Sequence, residues 1–235
     1  MKSLHRSHPT LAAGILSVFL LWPFLPAAAV ETGQLRFAVY LDDRPIGWHH
    51  YHVTPVRDGY RVQSEARFEV KLLFLTAYRY DHSSEEYWRN GCLERLHART
   101  DDNGTLHHVE AEGDGRWLRL TRDGGGPTPV TGCVMTFAYW NPAFIGQARL
   151  LNAQTGELVE VEFEPAAAAL PTAAAGPGSR AYRLSAGALD LTLWYSESMQ
   201  WLGLESRTGG GRLIRYLRSD LAPPREDAQA REQVS

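Results

Sequence analysis

The chain has 235 residues, with 24 Lys and Arg against 27 Asp and Glu, a net charge of −3 and two cysteines. That length allows one substantial domain. The near-balanced charge, with no long basic run, argues against nucleic acid as a partner.

In chain order, the first feature is a leader. Lys2 and Arg6 precede an apolar run from Leu11 to Leu25 that ends in Pro26-Ala27-Ala28-Ala29. A basic region, an apolar region and a small-residue cleavage site predict a signal peptide over 1–29, cut after Ala29, and a periplasmic location. A membrane anchor is the alternative. The run is shorter than the ~20 residues a span needs and holds Pro23 and Pro26, which favours the cleaved leader. No stable transmembrane anchor is expected after cleavage, and no cysteine near the cut suggests a lipoprotein. Export makes a disulfide between Cys92 and Cys133 the favoured reading over two free thiols in separate strands. C-x-x-C spacing is absent, which disfavours a redox-active pair.

The mature chain reads as strand after strand. Leu35, Phe37, Val39 and Leu41 alternate with polar or smaller neighbours, DDRPIG turns the chain, and residues 46–56 return. Asp58-Gly59 turns again, and 60–71 is the cleanest strand. Tyr60, Val62, Ser64, Ala66, Phe68 and Val70 take one face, and charged or amide side chains take the other. One wet face and one buried face mean an antiparallel sheet. Strands continue over 74–89, 92–100, 105–112 and 116–122, joined by Asn90-Gly91 and Asp102-Asn103-Gly104 turns. Asn103-Gly104-Thr105 also fits a glycosylation sequon, but a hairpin turn is the better reading.

One short helix is predicted near 142–150, opened by Pro142. Residues 166–179 read as a loop. Strands follow at 180–186, 189–196, 200–206 and 212–218, with a disordered tail over 221–235. The fold class is therefore all-β: a leader over 1–29, then one antiparallel β domain over 30–220. About ten to twelve strands must curl to protect their edges, giving a strongly curved meander sheet or incomplete β-barrel. A two-sheet sandwich is the alternative.

Several catalytic templates are missing: there is no G-x-S-x-G, no H-E-x-x-H and no Walker loop. The glycine triplets at 124–126 and 209–211 sit between strands, with no helix to hold a phosphate, and no cofactor is expected. His50 and His52 share the outer face in H-x-H spacing, but two ligands do not make a metal site.

The inner face is more informative. The stretch YRYDHSSEEYW at 78–88 puts Tyr78, Tyr80, His82, Ser84, Glu86 and Trp88 on one side. His49 and Tyr51 on the preceding hairpin face the same way. His82 and Glu86, with His49 opposite, form a candidate acid–base group, although a buried histidine also needs a partner merely to be tolerated. Trp88, Trp117, Tyr139, Trp140, Trp194, Tyr195 and Trp201 either line a ligand cavity or fill a curved sheet.

These residues carry a resemblance. Ile46-Gly47-x-His49-x-Tyr51, Tyr80-x-His82…Glu86-x-Trp88, Asn90-Gly91-Cys92-Leu93, Tyr139-Trp140-Asn141 and Leu193-Trp194-Tyr195…Trp201 are similar to the bacterial family called domain of unknown function 6134, over about 35–218. The resemblance implies an exported, mostly β protein of uncharacterised activity and carries over no catalytic residue. It directs attention to His49, His82, Glu86, Trp140 and Asn141.

The expected function is binding of a hydrophobic or lipid-like ligand in the concave face. The candidate ligand-binding residues are His49, Tyr51, Tyr80, His82, Glu86, Trp88, Trp140, Asn141 and Trp194. An enzyme using His82 and Glu86 is one alternative. A partner-binding envelope module presenting an edge or the Trp48 patch is another. A cavity reaching both His82 and Trp140 separates ligand binding from a packed core.

Overall fold

The computed structural model describes residues 30–72, 75–168 and 178–221. The expected leader, most of the loop predicted over 166–179 and nearly all of the expected tail lie outside these residues. Eight strands run up and down in order: β1 (Gly33–Leu41), β2 (Arg44–Val56), β3 (Gly59–Leu72), β4 (Leu75–Arg89), β5 (Cys92–Asp102), β6 (Thr105–Gly113), β7 (Trp117–Arg122) and β8 (Thr128–Thr131). A connecting segment, 132–161, then holds β9 (Arg149–Leu151) and β10 (Leu158–Glu160). The chain resumes with β11 (Glu162–Ala166), β12 (Arg180–Ala186), β13 (Leu189–Tyr195), β14 (Trp201–Arg207) and β15 (Leu213–Arg218).

Alternation and turn chemistry account for the meander. Inward Leu35, Phe37, Val39, Val53, Val62 and Leu96 are buried, while Arg61, Glu65 and Arg67 between them are not. The charged positions pair across neighbouring strands, with Arg61 to Glu85 and Arg67 to Asp81 both at 2.5 Å. Two of the hairpins close on left-handed Asn followed by left-handed Gly. Asn90 and Gly91 take φ of 50° and 80°, and Asn103 and Gly104 take 52° and 93°. Those values suit the two-residue turn whose twist matches the strands it joins.

Thirteen strands form one antiparallel sheet in the order β11-β12-β13-β14-β15-β1-β2-β3-β4-β5-β6-β7-β8. Its end strands, β11 and β8, do not pair with each other, so the barrel is incomplete. The sheet wraps one core: Leu184 and Leu191 from one end share a cluster with Val109 and Leu118 from the other. Segment 132–161 lies inside that curl as a strap. It is fastened to the sheet by the Cys92–Cys133 disulfide and by Leu93 N–H to Val134 O at 2.9 Å, and a bridge from Thr136 to Leu151 ties its own two halves together.

Two expectations change in detail. The helix predicted near 142–150 is a single 3-10 turn, Pro142–Phe144. Pro142 opens it and Asn141 caps it, but Ile145 is already extended and Gly146 takes φ of 103°, which ends any helical path. Fifteen strands form among the described residues, against the ten to twelve expected. The additional ones include β8, β9 and β10, which at four, three and three residues are too short to show alternation. No sandwich forms: β9 and β10 pair only as a two-stranded ribbon. No helix among the described residues is long and apolar enough to cross a membrane.

Candidate functional site

Strand register arranges the inner face in three rows. His49, Ala66 and His82 lie side by side on β2, β3 and β4; Tyr51, Ser64 and Ser84 form the next row; Val53, Val62 and Glu86 form the third. His49 and His82 are thus two strands apart, about 10 Å, with only the methyl of Ala66 between them. That small residue leaves room above the sheet. Tyr216 on β15 closes the near side, its ring 5.7 Å from the His49 imidazole.

The strap forms the opposite wall. Trp140 sits edge-on to Trp88 at 5.4 Å and to Tyr60 at 5.9 Å. Tyr139 packs against Trp201 at 5.0 Å, and its backbone oxygen accepts from the Tyr195 hydroxyl at 2.9 Å. Between strap and sheet lies a partly enclosed cavity of about 350 Å³. It touches His49, Tyr51, Ser84, His82, Glu86 and Trp140, so an open space lies over this part of the inner face. Leu189 and Gln154, both exposed, stand at its rim.

The floor is polar, buried and incompletely bonded. Glu86 Oε2 accepts from the Trp88 indole at 2.8 Å and from the Thr136 hydroxyl at 3.4 Å, while Oε1 accepts from nothing among the described residues. Burial pushes the Glu86 carboxyl up to about 7, against the pull of those two donors. His82 Nδ1 lies 2.9 Å from Thr100 Oγ1, whose own proton goes to the Gln154 carbonyl at 3.4 Å. His82 Nε2 has no hydrogen-bond partner among the described residues. Burial lowers His82 to about 4. His49 is held well below its ordinary value by burial first, then by His82 and His50. Both imidazoles are therefore uncharged at neutral pH.

His49 Nε2 lies 2.7 Å from Ser64 Oγ, and its Nδ1 is buried without a partner. The contact has the spacing of a serine–histidine dyad. However, no acceptor orients Nδ1 and burial opposes an imidazolium, so the arrangement lacks what activates a nucleophile. The unpartnered nitrogen carries a cost instead: a buried polar atom left unmatched costs roughly 1–3 kcal/mol until something bonds to it.

The nine candidate residues divide. His49, Tyr51, His82, Glu86 and Trp140 line the cavity. Tyr80 stacks on Phe68 at 5.0 Å, Trp88 supports Glu86 from beneath and Asn141 caps the 3-10 turn, so these three stand behind the lining. Trp194 points to the other side of the sheet, where it packs with Ala181 and Leu202 and donates to the Ala168 carbonyl at 2.9 Å. The expected His82–Glu86 pair is not a pair: four residues along one strand put their Cα atoms about 13 Å apart, and each has other partners. Ser64, Ser84, Thr136, Tyr139 and Tyr216 also line the cavity. The first two fall on the inner face by alternation, and the others reach it through the fold. His50 stacks on Trp48 at 4.4 Å away from the cavity, and His52 is exposed. No cluster of three or more metal-ligating side chains occurs among the described residues.

A search of curated proteins finds no match to the chain. Among solved structures, it is similar to a beta-barrel-like protein of domain of unknown function DUF1849 from Brucella abortus. The TM-score is 0.56 at 9% identity, covering 79% of this chain and 94% of the other. That likeness shows a shared fold. A family model described as domain of unknown function (DUF6134) matches residues 37–219, nearly the whole sheet with its strap, and the chain belongs to that family.

Proposed function

We propose that this is an exported binding protein that holds a small, largely apolar ligand between its curved sheet and the strap. The observation that carries this reading is the cavity of about 350 Å³, within the range of roughly 300–1,000 Å³ typical of ligand sites. Val62, Leu191, Leu204, Ile214 and several rings supply apolar wall, and a few buried polar groups supply orientation.

Three features support export. The leader pattern ends at Ala29, and Val30 is already half-buried against the core. The Cys92–Cys133 disulfide suits an oxidising compartment such as the periplasm. Fractionation of cells producing the full chain should place a protein beginning at Val30 in the periplasm. Native mass spectrometry of that gently released protein should show a bound mass that disappears on denaturation. A chain of uncut mass in the cytoplasm overturns the location. Protein that carries no ligand and takes up no added n-octanol overturns the binding role.

A further inference from the structure

The cavity lining has a one-sided charge chemistry. Among the described residues that line it, Glu86 is the sole carboxylate and there is neither lysine nor arginine. A fatty-acid carboxylate or a phosphate headgroup would enter a desolvated space with no cation to meet it and a carboxylate already present. A cation would find the reverse. Among the described residues, Glu86 Oε1 and His82 Nε2 have no hydrogen-bond partner, and His49 Nδ1 is buried without one. Around them stand the rings of Tyr51, Phe137, Tyr139, Trp140 and Tyr216, whose faces attract positive charge.

Resting on the binding role above, we infer that the ligand is a slender organic amine. Its protonated nitrogen lies against Glu86 under Trp140, and its body runs along the sheet towards His49 and His82. Shape agrees with charge. The cavity holds about 350 Å³, and its floor runs about 13 Å along β4 from Glu86 to His82, which gives room for an unbranched chain laid along that strand. At the far end, the two imidazoles offer ring nitrogens to any polar group the body carries.

Only one group facing the amine changes charge near neutrality. His82 on the same strand, His49 and Tyr51 on β2, Tyr139 on the strap and Tyr216 on β15 face Glu86 across the cavity. Burial keeps both imidazoles neutral and raises all three phenols. Amine binding should therefore strengthen from pH 6 to pH 8 as Glu86 ionises.

Three probes of equal chain length test the idea: protonated n-octylamine, n-octanol and sodium octanoate, followed by tryptophan fluorescence. The amine should bind the mature protein at least tenfold more tightly than octanoate and more tightly than octanol, with the preference growing between pH 6 and pH 8. Glu86→Gln, checked for folding by its melting temperature, should lose the preference and keep octanol binding. Octanol binding as well as the amine, or octanoate binding better than either, overturns the amine assignment and leaves the apolar binding role standing. Failure of all three probes overturns both. An amine preference that survives unchanged in Glu86→Gln also overturns the assignment, since the carboxylate would then not be the counter-charge.

Discussion

Glu86, His49 and His82 pull the stability of the fold in opposite directions with pH. A carboxyl raised from 4.5 to about 7 stays protonated in the folded state while its unfolded counterpart ionises. Its penalty is absent below pH 4.5, grows between 4.5 and 7 and is complete above, reaching about 3 kcal/mol at 1.36 kcal/mol per pH unit. His82, lowered from 6.5 to about 4, acts oppositely: it costs nothing above pH 6.5, and its penalty grows as pH falls towards 4. His49 shares that direction. Between pH 4.5 and 6.5 two histidines outweigh one carboxyl, so these groups should raise stability with pH up to about 6.5 and lower it slightly beyond. Glu86→Gln keeps an acceptor for Trp88 and Thr136 and removes the titration. Its melting temperature should lie close to that of the parent at pH 5 and clearly above it at pH 8, the gap approaching the equivalent of about 3 kcal/mol. A difference between the two proteins that is the same at pH 5 and pH 8 would mean Glu86 ionises normally in the fold.

The strap is where element-level packing creates the site, and one covalent bond ties it down. Cys92 and Cys133 are 41 residues apart, so their bridge restricts the unfolded chain by about 4 kcal/mol in the chain-entropy account. Cys92→Ala with Cys133→Ala should lower the urea midpoint accordingly and weaken octanol binding, because the segment carrying Trp140 loses its anchor. Unchanged octanol affinity in the double variant would show that the ring packing and hydrogen bonds hold the strap in place without the disulfide. The strap also marks where sequence reading runs out. The inner faces of β2, β3 and β4 were legible because alternation fixes the face and the Asp58-Gly59 turn sets β2 against β3. The position of the strap was not, because it depends on contacts such as Thr136 to Glu86, fifty residues apart. Pro142 signalled a helix start, but the path beyond it is set by Gly146 and by pairing of β9 with β10. Trp194 was misplaced for a related reason. Leu193 and Tyr195 face the core while Trp194 is covered on the other side, and a run buried on both faces hides its own alternation.

At the scale of the whole molecule, the curl depends on bringing the first and last strands together. Phe37 lies opposite Arg218 in the β1–β15 pairing, which joins the most distant parts of the chain and carries the largest loop-closure entropy. Arg218 is the side chain at that seam. Its guanidinium donates to both carboxylate oxygens of Glu31 at 2.9 and 3.0 Å, to Asp220 at 2.6 and 2.8 Å and to the Trp201 carbonyl at 3.0 Å. It also lies 5.4 Å from the centre of the Phe37 ring. Phe37 in turn packs on Trp201 at 4.0 Å, and Trp201 stands beside Tyr51, so the seam supports one wall of the cavity. Removing one member of a buried ion cluster leaves the others uncompensated, at about 3–5 kcal/mol; partial exposure of Glu31 and Asp220 places this case near the lower bound. Arg218→Ala should therefore lose about 3 kcal/mol in guanidinium unfolding. Arg218→Met, which keeps packing on Phe37, should lose less. Glu31→Gln should lose least, because Asp220 still pairs with the cation. If Arg218→Ala stays within about 1 kcal/mol of the parent, the seam is held by backbone pairing and ring packing, and the ion cluster only fills space that β1 and β15 have already closed.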